Sequence, residues 1–158
     1  MAATLAAAEP EAIGNDGLQS LRVQRSKIAM TKIEKFEDIE SWKCARDATR
    51  VIYRLSSNGS FAKDFALTNQ IRRSCVSILS NIAEGFEREG NKEFLHFLAM
   101  AKGSCGDVRA QLYVALDQAY IVEAEFTEVN SKLLEISRLI AGLARYLKQS
   151  EMRGSKFK

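Results

Sequence analysis

The sequence predicts an all-α fold, an antiparallel up-down-up-down four-helix bundle, on three observations. Apolar residues recur in steps of three and four through residues 94–119 and again through 126–147, the period of a helix seam buried against its neighbours. The chain has a single proline, Pro10, and nine glycines, so element interiors are nearly free of breakers. Polar breaks at 56–59 and 85–91 fall where the chain would have to reverse. With 158 residues and 46% apolar content the protein can bury one core, and nothing in it calls for a second domain.

The elements follow in order. Residues 1–29 are Ala-rich at the start and lack both the basic opening and the solid apolar core of a signal peptide, so they read as a disordered N-terminal extension. The bundle is expected over 30–150, with Met30-Thr-Lys-Ile-Glu-Lys-Phe36 as a natural start. A first helix at 36–57 turns Trp42, Ala45, Thr49 and Ile52 inward and stops at Ser56-Ser57-Asn58-Gly59. A second at 64–86 carries Ile71, Cys75, Ile78 and Ile82 on its seam, while Ser74, Ser77 and Ser80 lie off it and permit a close contact with another helix or subunit. Gly85 suits the left-handed residue that ends this helix. The third, at 91–119, runs Phe94, Leu98, Ala101, Cys105, Val108, Leu112, Ala115, Ala119, and this alternation of small and large lets facing helices approach closely. Glu93, three residues after Gly90, suggests a capping arrangement there, and Gly103 and Gly106 read as close-packing positions. The fourth, at 123–149, places Phe126, Val129, Leu133, Ile136, Ile140, Leu143 and Leu147 on one stripe, and 151–158 form a basic tail. Short connections favour antiparallel neighbours.

Several function classes fall away. Cys44, Cys75 and Cys105 are widely spaced on predicted helices, with neither zinc nor redox spacing, and read as reduced thiols, of which Cys75 and Cys105 fall on apolar seams and pack as small hydrophobes. His96 is the only histidine. It completes the Glu93-x-x-His spacing of di-iron bundles, but such a site needs that motif on two helices, and the seam carries Phe94 and Leu98 where carboxylates would be required. A lone histidine also leaves most acid-base and nucleophile schemes incomplete. Gly103-Ser-Cys-Gly106 lacks the strand and lysine of a phosphate loop. No apolar stretch approaches the ~20 residues of a membrane span. The expectation is a cytoplasmic protein, not an enzyme, with no metal and no cofactor.

Charge remains. Lysine and arginine exceed acids by 23 to 20, unevenly placed. At ~100° per residue, Lys43, Arg46, Arg50 and Arg54 project within an arc of roughly 80° on the first helix, away from Trp42, Ala45 and Ile52. Such a ridge is the footprint expected for phosphate contacts with RNA or DNA, and Lys148, Arg153, Lys156 and Lys158 form a second basic cluster. An ordinary solvated face is the competing reading, since Glu37, Asp38, Glu40 and Asp47 lie nearby. Arg72 and Arg73 are candidates to meet acids such as Glu84 or Glu87 at a subunit contact.

Three segments, Gln70-Ile-Arg-Arg73, Ser80-Asn-Ile-Ala-Glu-Gly-Phe86 and Glu93-Phe-Leu-x-Phe-Leu98-x-x-Ala101-x-Gly103-Ser104, occur in an order and spacing that closely resemble one family. It is the family of small four-helix-bundle proteins encoded in intervening sequences of bacterial 23S ribosomal RNA genes, and the likeness runs from about Phe36 to about Tyr146. The resemblance implies a homopentameric ring, with Arg72, Arg73, Asn81, Glu84 and Phe86 at subunit interfaces. A related branch comprises retroelement accessory proteins that bind nucleic acid and a reverse transcriptase, so a reverse transcriptase is a candidate partner on this resemblance alone. The chain departs from the family pattern at Ser77-Ile-Leu-Ser80, where relatives usually carry a proline that kinks the second helix, and at Gly103-Ser-Cys-Gly-Asp-Val108. Trp42, Phe61, Phe65, Phe86, Tyr113 and Tyr120 are also more large apolar groups than one slim bundle easily hides, which points to self-association. Two functional classes follow: a nucleic-acid-binding oligomer, or a scaffold ring that recruits a protein partner.

Overall fold

The computed structural model describes residues 33–88 and 90–154, with side chains through 150. The extension expected at 1–29 and the tail residues Lys156 and Lys158 lie outside the described residues, as does the side chain of Arg153. Four long helices, α1 (Glu40–Ser56), α2 (Phe65–Glu87), α3 (Asn91–Asp117) and α4 (Glu123–Gly154), surround one core, and no strand occurs among the described residues. Each packs on the next and α4 closes back on α1.

The seams predicted for the last three helices carry the core. Ile71, Cys75, Ile78 and Ile82 of α2 meet Leu98, Ala101, Cys105, Val108 and Leu112 of α3 and Val129, Leu133, Ile136 and Ile140 of α4, all buried. In α1 the stripe is shifted: Ala45 and Ile52 are buried as expected, but Ser41 and Ala48 complete it, while Trp42 and Thr49 sit half-buried on the flank. The Thr49 hydroxyl donates to the Ala45 carbonyl at 2.8 Å. Phe36–Asp38 forms a separate 3-10 turn, joined to α1 by the extended residue Ile39. There Phe36 packs edge-on against Trp42 at 5.1 Å.

The breaks fall near their predicted places, with different chemistry. Asp64 caps α2: its Oδ1 accepts from the Leu67 amide at 3.0 Å and its Oδ2 accepts from the Tyr120 hydroxyl at 3.2 Å, tying the start of α2 to the residues after α3. Phe61, counted among the groups hard to hide, is fully buried and stacked on Tyr120 at 5.4 Å. Gly85 does not end α2. It is buried inside the helix, and a Cβ there would stand 2.7 Å from Phe97 Cβ and 2.9 Å from Phe94 Cδ2, so glycine is required by the approach of α3 rather than by a left-handed turn. The chain reverses between Glu87 and Asn91, and α3 begins after an extended Gly90 with no side-chain cap bond from the expected capping arrangement.

At its other end α3 stops at Asp117, two residues short of expectation. Ala119 leaves the core stripe, adopts φ 55° and is exposed. The Tyr120 amide donates to Ala115 O at 2.9 Å and the Ala119 amide to Leu116 O at 2.9 Å, the paired bonds of a Schellman ending. Gly103 and Gly106, expected to be close-packing positions within the bundle, face outward instead, and a Cβ at either would find no heavy atom within 4 Å. The second helix, α2, runs unbroken through Ser77-Ile-Leu-Ser80.

Candidate nucleic-acid interface

Lys43, Arg46, Arg50 and Arg54 all lie exposed on the outer face of α1. The helix turns them out because Ser41, Ala45, Ala48 and Ile52 claim the opposite side for the core. Their neighbours neutralise them only weakly. Lys43 reaches Glu40 at 3.5 Å and Arg50 reaches Asp47 at 3.4 Å, both pairs with side chains at least half exposed, where an i,i+3 pair contributes only a few tenths of a kcal/mol. Arg46 lies over the Trp42 ring at 5.8 Å. Four cations therefore share one face with two carboxylates, Glu40 and Asp47. Lys148 is exposed near the end of α4, on another helix.

The five residues expected at a subunit interface do not form one patch. The Arg72 guanidinium donates to Ser56 Oγ at 2.8 Å and Ser57 Oγ at 2.9 Å and covers the Tyr53 ring at 4.8 Å, securing the end of α1 to α2. Arg73 is exposed on the outer side of α2. Asn81 is buried and donates to Ser77 O and Oγ at 2.8 and 3.0 Å. Glu84 pairs with Arg88 at 2.6 Å, and Phe86 is half-buried against Phe94.

Of the off-seam serines, Ser77 meets Ser104 at 2.9 Å and Ser74 accepts from Gln111 Nε2 at 3.2 Å, so α2 and α3 approach closely through hydroxyls. Beside these bonds runs an open groove of about 380 Å³ lined by Gln70, Arg73, Asp107 and Gln111. Sequence reasoning missed Tyr53. It is 40% exposed beside Arg54 and Arg72 and lines a second trough of about 650 Å³ with Asn69, Arg73 and Val76, and only its adjacency to Arg54 hinted at this.

The remaining reactive groups are muted. Burial pushes the thiols of Cys75 and Cys105 up to about 12, and burial followed by the Glu40 and Asp47 carboxylates raises that of Cys44. His96 is exposed, edge-on to Phe97 at 5.8 Å. Among the described residues no three His, Cys, Asp or Glu side chains converge as a metal site, and no helix is long and apolar enough to cross a membrane.

A single core ringed by four helices, with a basic outer helix, defines a small helical-bundle protein. The chain belongs to the 23S rRNA-intervening sequence protein family, whose family model matches residues 37–142. Among solved structures it is similar to a protein of unknown function from the S23 ribosomal protein family of Bacteroides thetaiotaomicron VPI-5482. That likeness has a TM-score of 0.60 at 23% identity and covers 66% of this chain and 97% of the other, which establishes a shared fold. No curated protein matches the chain.

Proposed function

We propose that this protein is a non-enzymatic, oligomeric nucleic-acid-binding member of its family, an antiparallel up-down-up-down bundle that engages RNA or DNA phosphates through α1. The observation that carries the reading is the exposed row Lys43, Arg46, Arg50 and Arg54, offset only by two weakly paired carboxylates. Assembly multiplies it: a closed homo-oligomer, in the pentameric form the family resemblance implies, repeats the ridge and binds a polyanion multivalently. The antiparallel arrangement is supported by the pairings Ser74 with Gln111, Ser77 with Ser104 and Gly85 with Phe97, in which numbers rise along α2 as they fall along α3. The non-enzymatic reading is supported by thiols held protonated at neutral pH and by the exposure of the lone histidine. A cytoplasmic location accords with this role.

The test is binding of mixed-sequence RNA and DNA at low salt, followed by fluorescence anisotropy. The unmodified protein binds both, and Arg46→Glu with Arg50→Glu weakens both alike while leaving the mass of the assembly unchanged. Absence of binding by the unmodified protein would make the ridge a solvated face. A scaffold that recruits a protein, a reverse transcriptase among the candidates, then becomes the better reading, favoured by Phe65 at 74% exposure and Tyr113 at 50%.

A further inference from the structure

The α2 side of the α1 ridge carries an aromatic ring that phosphate binding does not need. At ~100° per residue, Tyr53 falls about 20° from Arg46 and about 60° from Arg50, which precede it by two turns and one turn, whereas Glu40 and Asp47 fall on the far edge of the ridge. The ring is held from one side. The Arg72 guanidinium lies over it at 4.8 Å and is itself fixed on the hydroxyls of Ser56 at 2.8 Å and Ser57 at 2.9 Å. Tyr53 is nonetheless 40% exposed, and it lines the trough of about 650 Å³ between α1 and α2. Arg72 and Arg73 flank this trough, neither paired with a carboxylate among the described residues. No acid lines it, unlike the neighbouring α2/α3 groove with its Asp107. Asn69 and Val76, both exposed, contribute an amide and an apolar side chain. An oriented aromatic face with an apolar neighbour, an amide and two guanidiniums suits a planar heterocycle joined to a phosphate.

We infer that the Tyr53 trough receives an unpaired base of the strand whose phosphates run along the α1 ridge, an assignment that rests on the phosphate binding proposed for α1. The protein thereby selects single-stranded nucleic acid over duplex. Stacking on an aromatic ring tolerates any sequence, because every base has a π-face. A ring already fixed beneath Arg72 loses little freedom when a base settles on it. Duplexes cannot make this contact, since both faces of each internal base are covered by its neighbours, and they meet the ridge through phosphates alone. Asn69 supplies a donor and an acceptor for the polar edge of the base, and Arg73 a cation for the adjoining phosphate.

The test uses mixed-sequence single strands of RNA and of DNA, the matching duplexes, and a DNA strand whose bases are replaced by abasic sites, all followed by fluorescence anisotropy at one low salt concentration. The unmodified protein is expected to bind either single strand more tightly than its duplex and more tightly than the abasic strand, which carries the same phosphates. Tyr53→Ala weakens binding to both single strands by about 5- to 100-fold, the range for losing one stacked base, and leaves duplex and abasic affinities unchanged. Its salt slope on single strands also stays the same, because no phosphate contact is removed. Tyr53→Trp keeps the preference for single strands. Tyr53→Leu, which retains bulk beneath Arg72 without an aromatic face, shows the same selective loss and replaces the alanine variant if circular dichroism finds that one unfolded. Equal affinity of the unmodified protein for single strand and duplex, or a loss in the variants that is absent on single strands or equal on every ligand, overturns the inference and leaves binding by the ridge standing. A change in the mass of the assembly in these variants, read by light scattering, makes the trough a contact between subunits and overturns it as well. An unmodified protein that binds neither single strands nor duplexes overturns both readings.

Discussion

Gly85 and the two seam cysteines show what single residues decide. Alanine is ordinarily a better helix former than glycine by about 1 kcal/mol. At Gly85 that preference is outweighed, because the added methyl would lie 2.7 Å from Phe97 Cβ, an atom attached directly to the α3 backbone that cannot swing aside. Gly85→Ala is therefore expected to lower stability by about 1–3 kcal/mol, the usual result of overpacking, as read from urea unfolding. The thiols give a pH dependence. Cys75 and Cys105 have an ordinary value of 9.0 and a folded value of about 12. Between these the unfolded chain has released protons that the folded chain keeps, so stability is lost as pH rises through the window, by up to about 1.4 kcal/mol per unit per thiol, and is unaffected by these groups below it. Melting temperatures between about pH 8 and 11 will show the decline, and Cys75→Ala with Cys105→Ala will flatten it. That Gly85 would matter was legible in the sequence; the reason was not, because a left-handed turn and a close approach both select glycine and only the position of Phe97 separates them.

At the scale of elements, the helices form where apolar spacing demands and stop where local bonds take over. The end of α3 is the informative case. Its apolar series continues to Ala119, yet the backbone leaves the helix at Gln118, with the Tyr120 and Ala119 amides turned back onto Ala115 and Leu116. Tyr120 decides this, since its ring stacks on Phe61 and its hydroxyl reaches Asp64, pulling the chain away from the helix axis. Ala119 bears a steric cost at φ 55°, which glycine would not. Ala119→Gly is expected to stabilise the protein by about 0.5–1 kcal/mol, visible as a raised melting temperature. Asp64→Ala removes the α2 cap and the Tyr120 bond together and is expected to cost about 1–2 kcal/mol in the same measurement. The capping role of Asp64 was within reach of sequence reasoning, for aspartate before an apolar run is a common start signal. Its second bond, 56 residues away, was not.

At the scale of the whole molecule, electrostatics and assembly determine the proposed activity. If α1 binds phosphates, each contact releases condensed counterions, and the logarithm of affinity falls with the logarithm of salt by about 0.7 per contact on single strands and about 0.9 on duplex DNA. Replacing Arg46 and Arg50 together is then expected to reduce that slope by roughly 1.4–1.8, measured by anisotropy across a salt series. A slope that does not change would place the contacts on other residues. The basic row is readable from periodicity alone, which puts Lys43, Arg46, Arg50 and Arg54 on one side of a helix. The grouping of Arg72 with Tyr53, Ser56 and Ser57 is not, because it depends on how α2 lies beside α1.

The sequence by itself determined the four long helices, the seam of α2 and those of α3 as far as Ala115 and of α4 as far as Ile140, the burial of Cys75 and Cys105 and the exposure of the α1 ridge. All of these follow from spacing along one chain, where a period near 3.5 residues fixes which side chains share a face. Tertiary structure alone decided which glycines are crowded and which are open, that Phe61 is hidden, and that Arg72 is held by serines of α1. Those outcomes depend on distances between residues remote in sequence, and a one-dimensional pattern carries the direction of a side chain but not the identity of what it meets.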